Sequence, residues 1–160
     1  HADGLLFNGS HPDDLAWARD RVEEGREDRP DHRGPFDLLA YASVSVDTDA
    51  EAAREAARPP VAFIVAGAAP PVLDRHGIDH AAAESIGDHI AAGEFTEAFG
   101  LVTGGMIDAF SVAGTPETVT DRMAALREHT DGIVIGSPLG PDPEAAIELA
   151  ADAWRESAPE

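Results

Sequence analysis

Asp131-Gly132-Ile133-Val134-Ile135-Gly136-Ser137-Pro138-Leu139-Gly140-Pro141-Asp142-Pro143-Glu144 is the stretch that decides the fold of this chain. A turn dipeptide leads a short apolar run, a Gly-Ser pair closes it, and Asp142-Pro143-Glu144 opens a helix with a capping carboxylate and a proline in its first turn. The same grammar stands near the other end, where Asp3-Gly4-Leu5-Leu6-Phe7-Asn8-Gly9-Ser10 precedes His11-Pro12-Asp13-Asp14. There Ser10 reads as the helix cap, Asp13 and Asp14 as charges favoured by the dipole, and Gly25 as the stop. A repeat of strand, Gly-Ser turn and capped helix is how the units of a parallel α/β sheet are punctuated.

Between the two copies, Phe36 to Val46 begins after Gly34-Pro35, ends at Asp47-Thr48-Asp49, and reads as a third strand. Thr48 or Asp49 caps the alanine-rich segment that follows, which Pro59-Pro60 should break or kink. Val61 to Ala66 has no period of its own and is read as helical; His80 to Ala92 and Thr96 to Thr103 read as short helices separated by Gly93. Thr115 caps a further helix, with Pro116 in its first position and Val119, Met123 and Leu126 as its buried stripe. Residues 1–160 are therefore expected to form one partial α/β domain of about three parallel strands plus helices, with 50–110 a mostly helical insertion. Closing a parallel barrel takes eight strands and roughly 250 residues. The expectation is thus the C-terminal part of a longer protein, incomplete as a barrel.

Eleven Lys plus Arg stand against 31 Asp plus Glu, a net charge of −20, and every one of the cations is arginine. Such a surface repels nucleic acid, whose nonspecific affinity comes from basic side chains displacing counterions, and it repels anionic membranes too. We read the charge as an adaptation to high salt, as in halophiles, with an acidic face for a basic partner as the other reading. There is no cysteine, which excludes disulfides, thiolate metal sites and a cysteine nucleophile. The longest apolar stretch, Val61 to Leu73, is interrupted by Pro70-Pro71 and falls short of the roughly 20 residues that span a bilayer. No signal-type segment precedes the fold, so a cytoplasmic protein, cut or begun mid-chain, is expected.

Parallel strands put ligand sites at their C-terminal ends, which selects Asn8-Gly9-Ser10, Ser45 to Thr48, and Gly136-Ser137 with the following loop. Gly136 to Gly140 suits either a phosphate cradle or a tight turn. Neither Ser10 nor Ser137 has the G-x-S-x-G spacing of a hydrolase elbow. His76 and His80 lack the Glu of a zinc-hydrolase helix and read as surface loop, and Asp47-Thr48-Asp49 lacks the Gly and Glu of a calcium loop. His11 is either a proton donor beside a strand end or an ordinary early-helix residue; Trp17 and Trp154 read as packing.

Asp3 to Pro12, Tyr41-Ala42-Ser43-Val44-Ser45-Val46-Asp47, Ala113-Gly114-Thr115-Pro116-Glu117 and Gly136 to Asp142 together resemble the C-terminal half of the methylenetetrahydromethanopterin reductase family, within the luciferase-like monooxygenase superfamily. The resemblance runs in order from residue 1 to about Trp154. It implies strands six to eight of a (βα)8 TIM barrel with an inserted helical segment. It further implies coenzyme F-420 as hydride donor, with FMN and a luciferase-like monooxygenase activity as the alternative, and a pterin or folate one-carbon carrier as acceptor. By matching position, Phe7 and Asn8 would line the cofactor pocket, and Ser45, Gly136 and Ser137 would border its mouth. No catalytic residue and no metal ligand carries over. The implied partners are the missing N-terminal half of the barrel and further copies in a homo-oligomer, since unpaired strand edges invite association. A free-standing acidic interaction module without chemistry is the competing reading.

Overall fold

The computed structural model describes residues 2–158. In chain order these form β1 (Gly4–Asn8), α1 (Pro12–Arg26), β2 (Asp37–Val46), α2 (Ala50–Gly67), α3 (Pro70–Arg75), α4 (His80–Ala92), α5 (Phe95–Gly100), α6 (Gly104–Phe110), β3 (Val112–Gly114), α7 (Pro116–Arg127), β4 (Gly132–Leu139) and α8 (Pro143–Glu156).

All strand pairings are parallel, and β2 is the hub. Tyr41 pairs with Asn8 of β1 and Val134 of β4, while Ser45 pairs with Ala113 of β3 and Leu139 of β4. A strand residue has two edges, so β4 runs along one edge of β2 while β1 and then β3 share the other. The sheet is open, as expected.

Alternation along β2 separates two environments. Leu38, Ala40, Ala42, Val44 and Val46 are all within 1 % of complete burial. The last four pack with Leu15 of α1, Val119, Met123 and Leu126 of α7, and Ala146, Ala150 and Ala153 of α8. The opposite face is bare below Ser43 and Ser45, which α2 and the excursion bury: Leu6, Tyr41 and Val134 are 54 %, 37 % and 39 % exposed. All-parallel sheets normally have both faces covered. A bare apolar face backed by a helical layer is what the inside of a barrel presents when only some of its strands are considered.

The excursion from α2 to α6 builds a separate core at the C-terminal end of the strands, around Val61, Val65, Ile86, Met106 and Ile107. Val61 to Ala66 is helical, as read from the sequence, and of the break or kink expected at Pro59-Pro60 the break does not occur, since both lie inside α2. Two prolines remove two helix hydrogen bonds. Complete burial of Ala57, Val61, Ala62 and Val65 against the other helices compensates, at about 1.5–3 kcal/mol for each valine.

Three other expectations need correction. Val112–Gly114 is a fourth, short strand, too brief to show a pattern in sequence. Ser137, Pro138 and Leu139 continue β4, with a register shift opposite Ser43 to Ser45 and a cis Ser137–Pro138 peptide, where a loop was expected. Finally, the α1 cap is His11, whose Nδ1 accepts the Asp13 N–H at 3.2 Å, and not Ser10.

Candidate functional site

Serine hydroxyls lock the C-terminal ends of the strands. Ser10 Oγ accepts the Ser43 N–H at 3.0 Å, the Ser43 hydroxyl donates to the Ser137 carbonyl at 3.0 Å, and Ser111 of the α6–β3 junction donates to the Ser43 carbonyl at 3.1 Å. β1, β2, β4 and the end of the excursion are thereby tied where a barrel places its chemistry. Gly9 extends the β1 ladder by donating to the Tyr41 carbonyl at 3.1 Å.

Over the end of β1 opens a cavity of about 670 Å³. Its floor is Phe7, Asn8, Gly9 and Ser10; α1 contributes Asp14 and Trp17, and the excursion closes the far wall with Phe63, Ile64, Pro71, Val72, Arg75 and Phe110. Aromatic and aliphatic walls with a few convergent polar groups suit a flat organic ligand. Among the described residues that line it, Arg75 is the only cation and Asp14 the only anion. A second cavity, about 450 Å³, lies at the opposite end of the strands. There Arg29 is spent on the carbonyls of Ala2, Arg33 and Gly34.

At the rim, Asp14 is 5 % exposed. Its carboxylate accepts from the Arg75 guanidinium and, at 2.9 Å, from His76 Nε2. A buried carboxylate is tolerable only when paired in this way. The Arg75 guanidinium also lies 5.1 Å from the centre of the Trp17 ring. His76 stacks edge-on against both His11 and Phe110, with centroids 4.8 Å and 5.5 Å away. Burial holds the His11 imidazole below its ordinary value, and His76 and Arg122 push the same way against Asp13 and Asp14. Arg122 donates to the carbonyls of Ser10 and Asp108, at 3.2 and 2.7 Å. Burial lowers its pKa too, in part offset by Asp108.

The residues singled out from sequence divide. Phe7 and Asn8 lie together on the cavity floor. Ser45 is completely buried and donates its hydroxyl to the Ala53 carbonyl at 2.6 Å, so it offers no polar atom to the cavity. Gly136 and Ser137 sit across the sheet on β4, away from the cavity lining. Gly136 is neither a phosphate cradle nor a tight turn: a Cβ there would come within 2.5 Å of the Tyr41 ring. His76, read as surface loop, has its side chain only 6 % exposed. Asp14, Arg75 and His76 were missed as a group, and Trp17 was read as packing alone. Their only sequence signal is an acidic residue in a first turn, because the partners stand 61 and 62 positions apart. Among the described residues no cluster suited to a metal ion occurs, and no helix is long and apolar enough to cross a membrane.

Comparison with known proteins places this geometry. Residues 1–131 match the family model described as luciferase-like monooxygenase. The chain is 46 % identical over 149 residues to the 5,10-methylenetetrahydromethanopterin reductase of Methanopyrus kandleri, covering 92 % of this chain and 43 % of the relative. It is 42 % identical to that of Archaeoglobus fulgidus and 45 % to that of Methanolobus tindarius, again over 92 % of this chain and 46 % of each relative. The structure of the coenzyme F420-dependent tetrahydromethanopterin reductase from Methanopyrus kandleri superposes with a TM-score of 0.87 at 43 % identity, over 96 % of this chain and 44 % of that one. The chain thus spans somewhat under half the length of the relatives it matches.

Proposed function

This chain belongs to the luciferase-like monooxygenase family, and from that premise we propose that it is the C-terminal half of a coenzyme F420-dependent reductase acting on a methylene-carrying tetrahydromethanopterin or folate. The carrying observation is 42–46 % identity to three 5,10-methylenetetrahydromethanopterin reductases over 92 % of the chain. In this reading the bare face of the sheet, with Leu6, Tyr41 and Val134, packs inside a barrel against strands supplied by the other half. The charge of −20 fits a protein working in concentrated salt.

The residues present fit a deazaflavin. Phe7, Phe63, Phe110 and Val72 give apolar walls for a planar ring system, and Asn8 at the strand end gives one side-chain amide to fix its orientation. When bound, the reduced deazaflavin supplies the hydride and the protein need only place it. Phe7 and Asn8 would line the pocket of the ring, the serine ties would keep its mouth rigid, and the excursion would exclude water. No side chain of this segment is assigned as acid or base.

Titration of the full-length polypeptide with coenzyme F420 and with FMN tests the reading. Saturable F420 binding at lower concentration than FMN is expected, and Asn8→Phe should weaken it. Tight FMN binding with oxygen consumption would instead make this a flavin monooxygenase. Neither ligand binding would favour the interaction module.

A further inference from the structure

Among the described residues Arg75 is the sole cation lining the cavity, in a chain of net charge −20, and it is held from two sides. One guanidinium nitrogen donates to buried Asp14, and the group lies over Trp17 at 5.1 Å. Asp14 is fixed in turn by His76 Nε2 at 2.9 Å, whose ring packs against His11 and Phe110. Among the described residues the hydrogen bonding of Arg75 stops at Asp14, although a guanidinium carries five N–H donors. The side chain remains 25 % exposed at the cavity wall.

An acidic protein repels an anionic ligand at long range, so a site for one needs a local cation whose orientation is set before binding. A guanidinium with one nitrogen anchored and N–H donors still open to a ligand is suited to a carboxylate or phosphate, which it grips with paired, charge-assisted hydrogen bonds. We propose that Arg75, oriented by Asp14 and Trp17, is the specificity-determining anchor for the anionic tail of the ligand whose ring occupies the cavity. This rests on the reductase reading and deepens it. F420 and a methanopterin both join a planar ring system to an anionic tail, so the shared chemistry is a phosphate or carboxylate next to an aromatic ring.

The test compares tailed and tail-free ligands on the full-length protein and its Arg75→Gln variant. Dissociation constants are measured for F420 against the deazaflavin nucleoside analogue without phosphate, and for the pterin substrate against its tail-free pterin. One lost charge-assisted pair is worth about tenfold or more. Expected is a loss of that size for one tailed ligand, with its tail-free form unaffected; which pair responds identifies the tail. Equal losses for tailed and tail-free forms, or no loss for either pair, would overturn the anchor. Wild-type protein that binds none of the four would overturn the reductase reading itself. Should Arg75→Gln fail to fold because Asp14 is left unpaired, Arg75→Lys keeps the charge but not the fork. It should lose several-fold for the tailed form alone, and unchanged affinity would again be contradictory.

Discussion

An alanine at Gly140 would bring its β-carbon within 2.5 Å of the Val46 carbonyl oxygen and 3.0 Å of the Ala146 side chain, so β2 and α8 both have to move. At Gly25, inside α1, the same methyl meets nothing within 4 Å. Gly140→Ala should therefore cost about 1–3 kcal/mol by overpacking, whereas Gly25→Ala should gain about 0.4–1 kcal/mol by restricting the unfolded chain. Urea midpoints of the two variants, moving in opposite directions, check this; a neutral Gly140→Ala would contradict the close approach. His11 gives a pH signature. Its Nδ1 must be unprotonated to accept the Asp13 N–H, and its folded pKa lies below the unfolded value of about 6.5. The unfolded chain then binds the proton first, so stability is intact above pH 6.5 and falls as pH drops toward the lower, folded pKa. His11→Asn, which caps without titrating, should flatten this part of the stability–pH curve. An unchanged slope would remove His11 as its source. That Asn8 lines a cavity was legible because strand ends in a parallel sheet are where cavities open, while Phe7 was singled out only by resemblance. The Asp14, Arg75 and His76 group was not, because nothing local marks residues that meet only when the excursion folds back over α1.

Helix α8 shows how the elements divide their labour. Its N-cap Asp142 accepts the N–H groups of Glu144 and Ala145 at 3.1 and 3.3 Å, and Ala146, Ala150 and Ala153 then form the stripe that packs on the sheet. Asp142→Ala should cost about 1 kcal/mol, read as a lower thermal midpoint with Asp142→Ser close to wild type. Caps of this kind were legible in sequence at Asp49, Thr115 and Asp142 because each is a local pattern. The α2 prolines and the end of β4 were not. Pro59-Pro60 are tolerated because tertiary burial of their neighbours outweighs local propensity, and Pro138 is carried in a strand at a register shift, where a ladder donor is not needed. Both outcomes are decided by contacts distant in sequence, which no window of residues contains.

Across the whole molecule two features dominate, the bare sheet face and the charge. Self-repulsion at −20 is screened by salt within a Debye length of about 3 Å at 1 M. The thermal midpoint should therefore climb when potassium chloride is raised from 0.1 to about 2 M. A flat response would leave the acidic surface to a basic partner. The open strand count in the sequence raised the expectation of further strands; which face such strands would cover was not legible, since that depends on where the helices settle. Turnover tests the proposed hydride transfer within a completed barrel. Reduced coenzyme F420, mixed anaerobically with methylenetetrahydromethanopterin and the full-length protein, should be reoxidised as methyl-carrying product accumulates in equal amount. Reoxidation that needs oxygen, or none with either the methanopterin or the folate carrier, would contradict it.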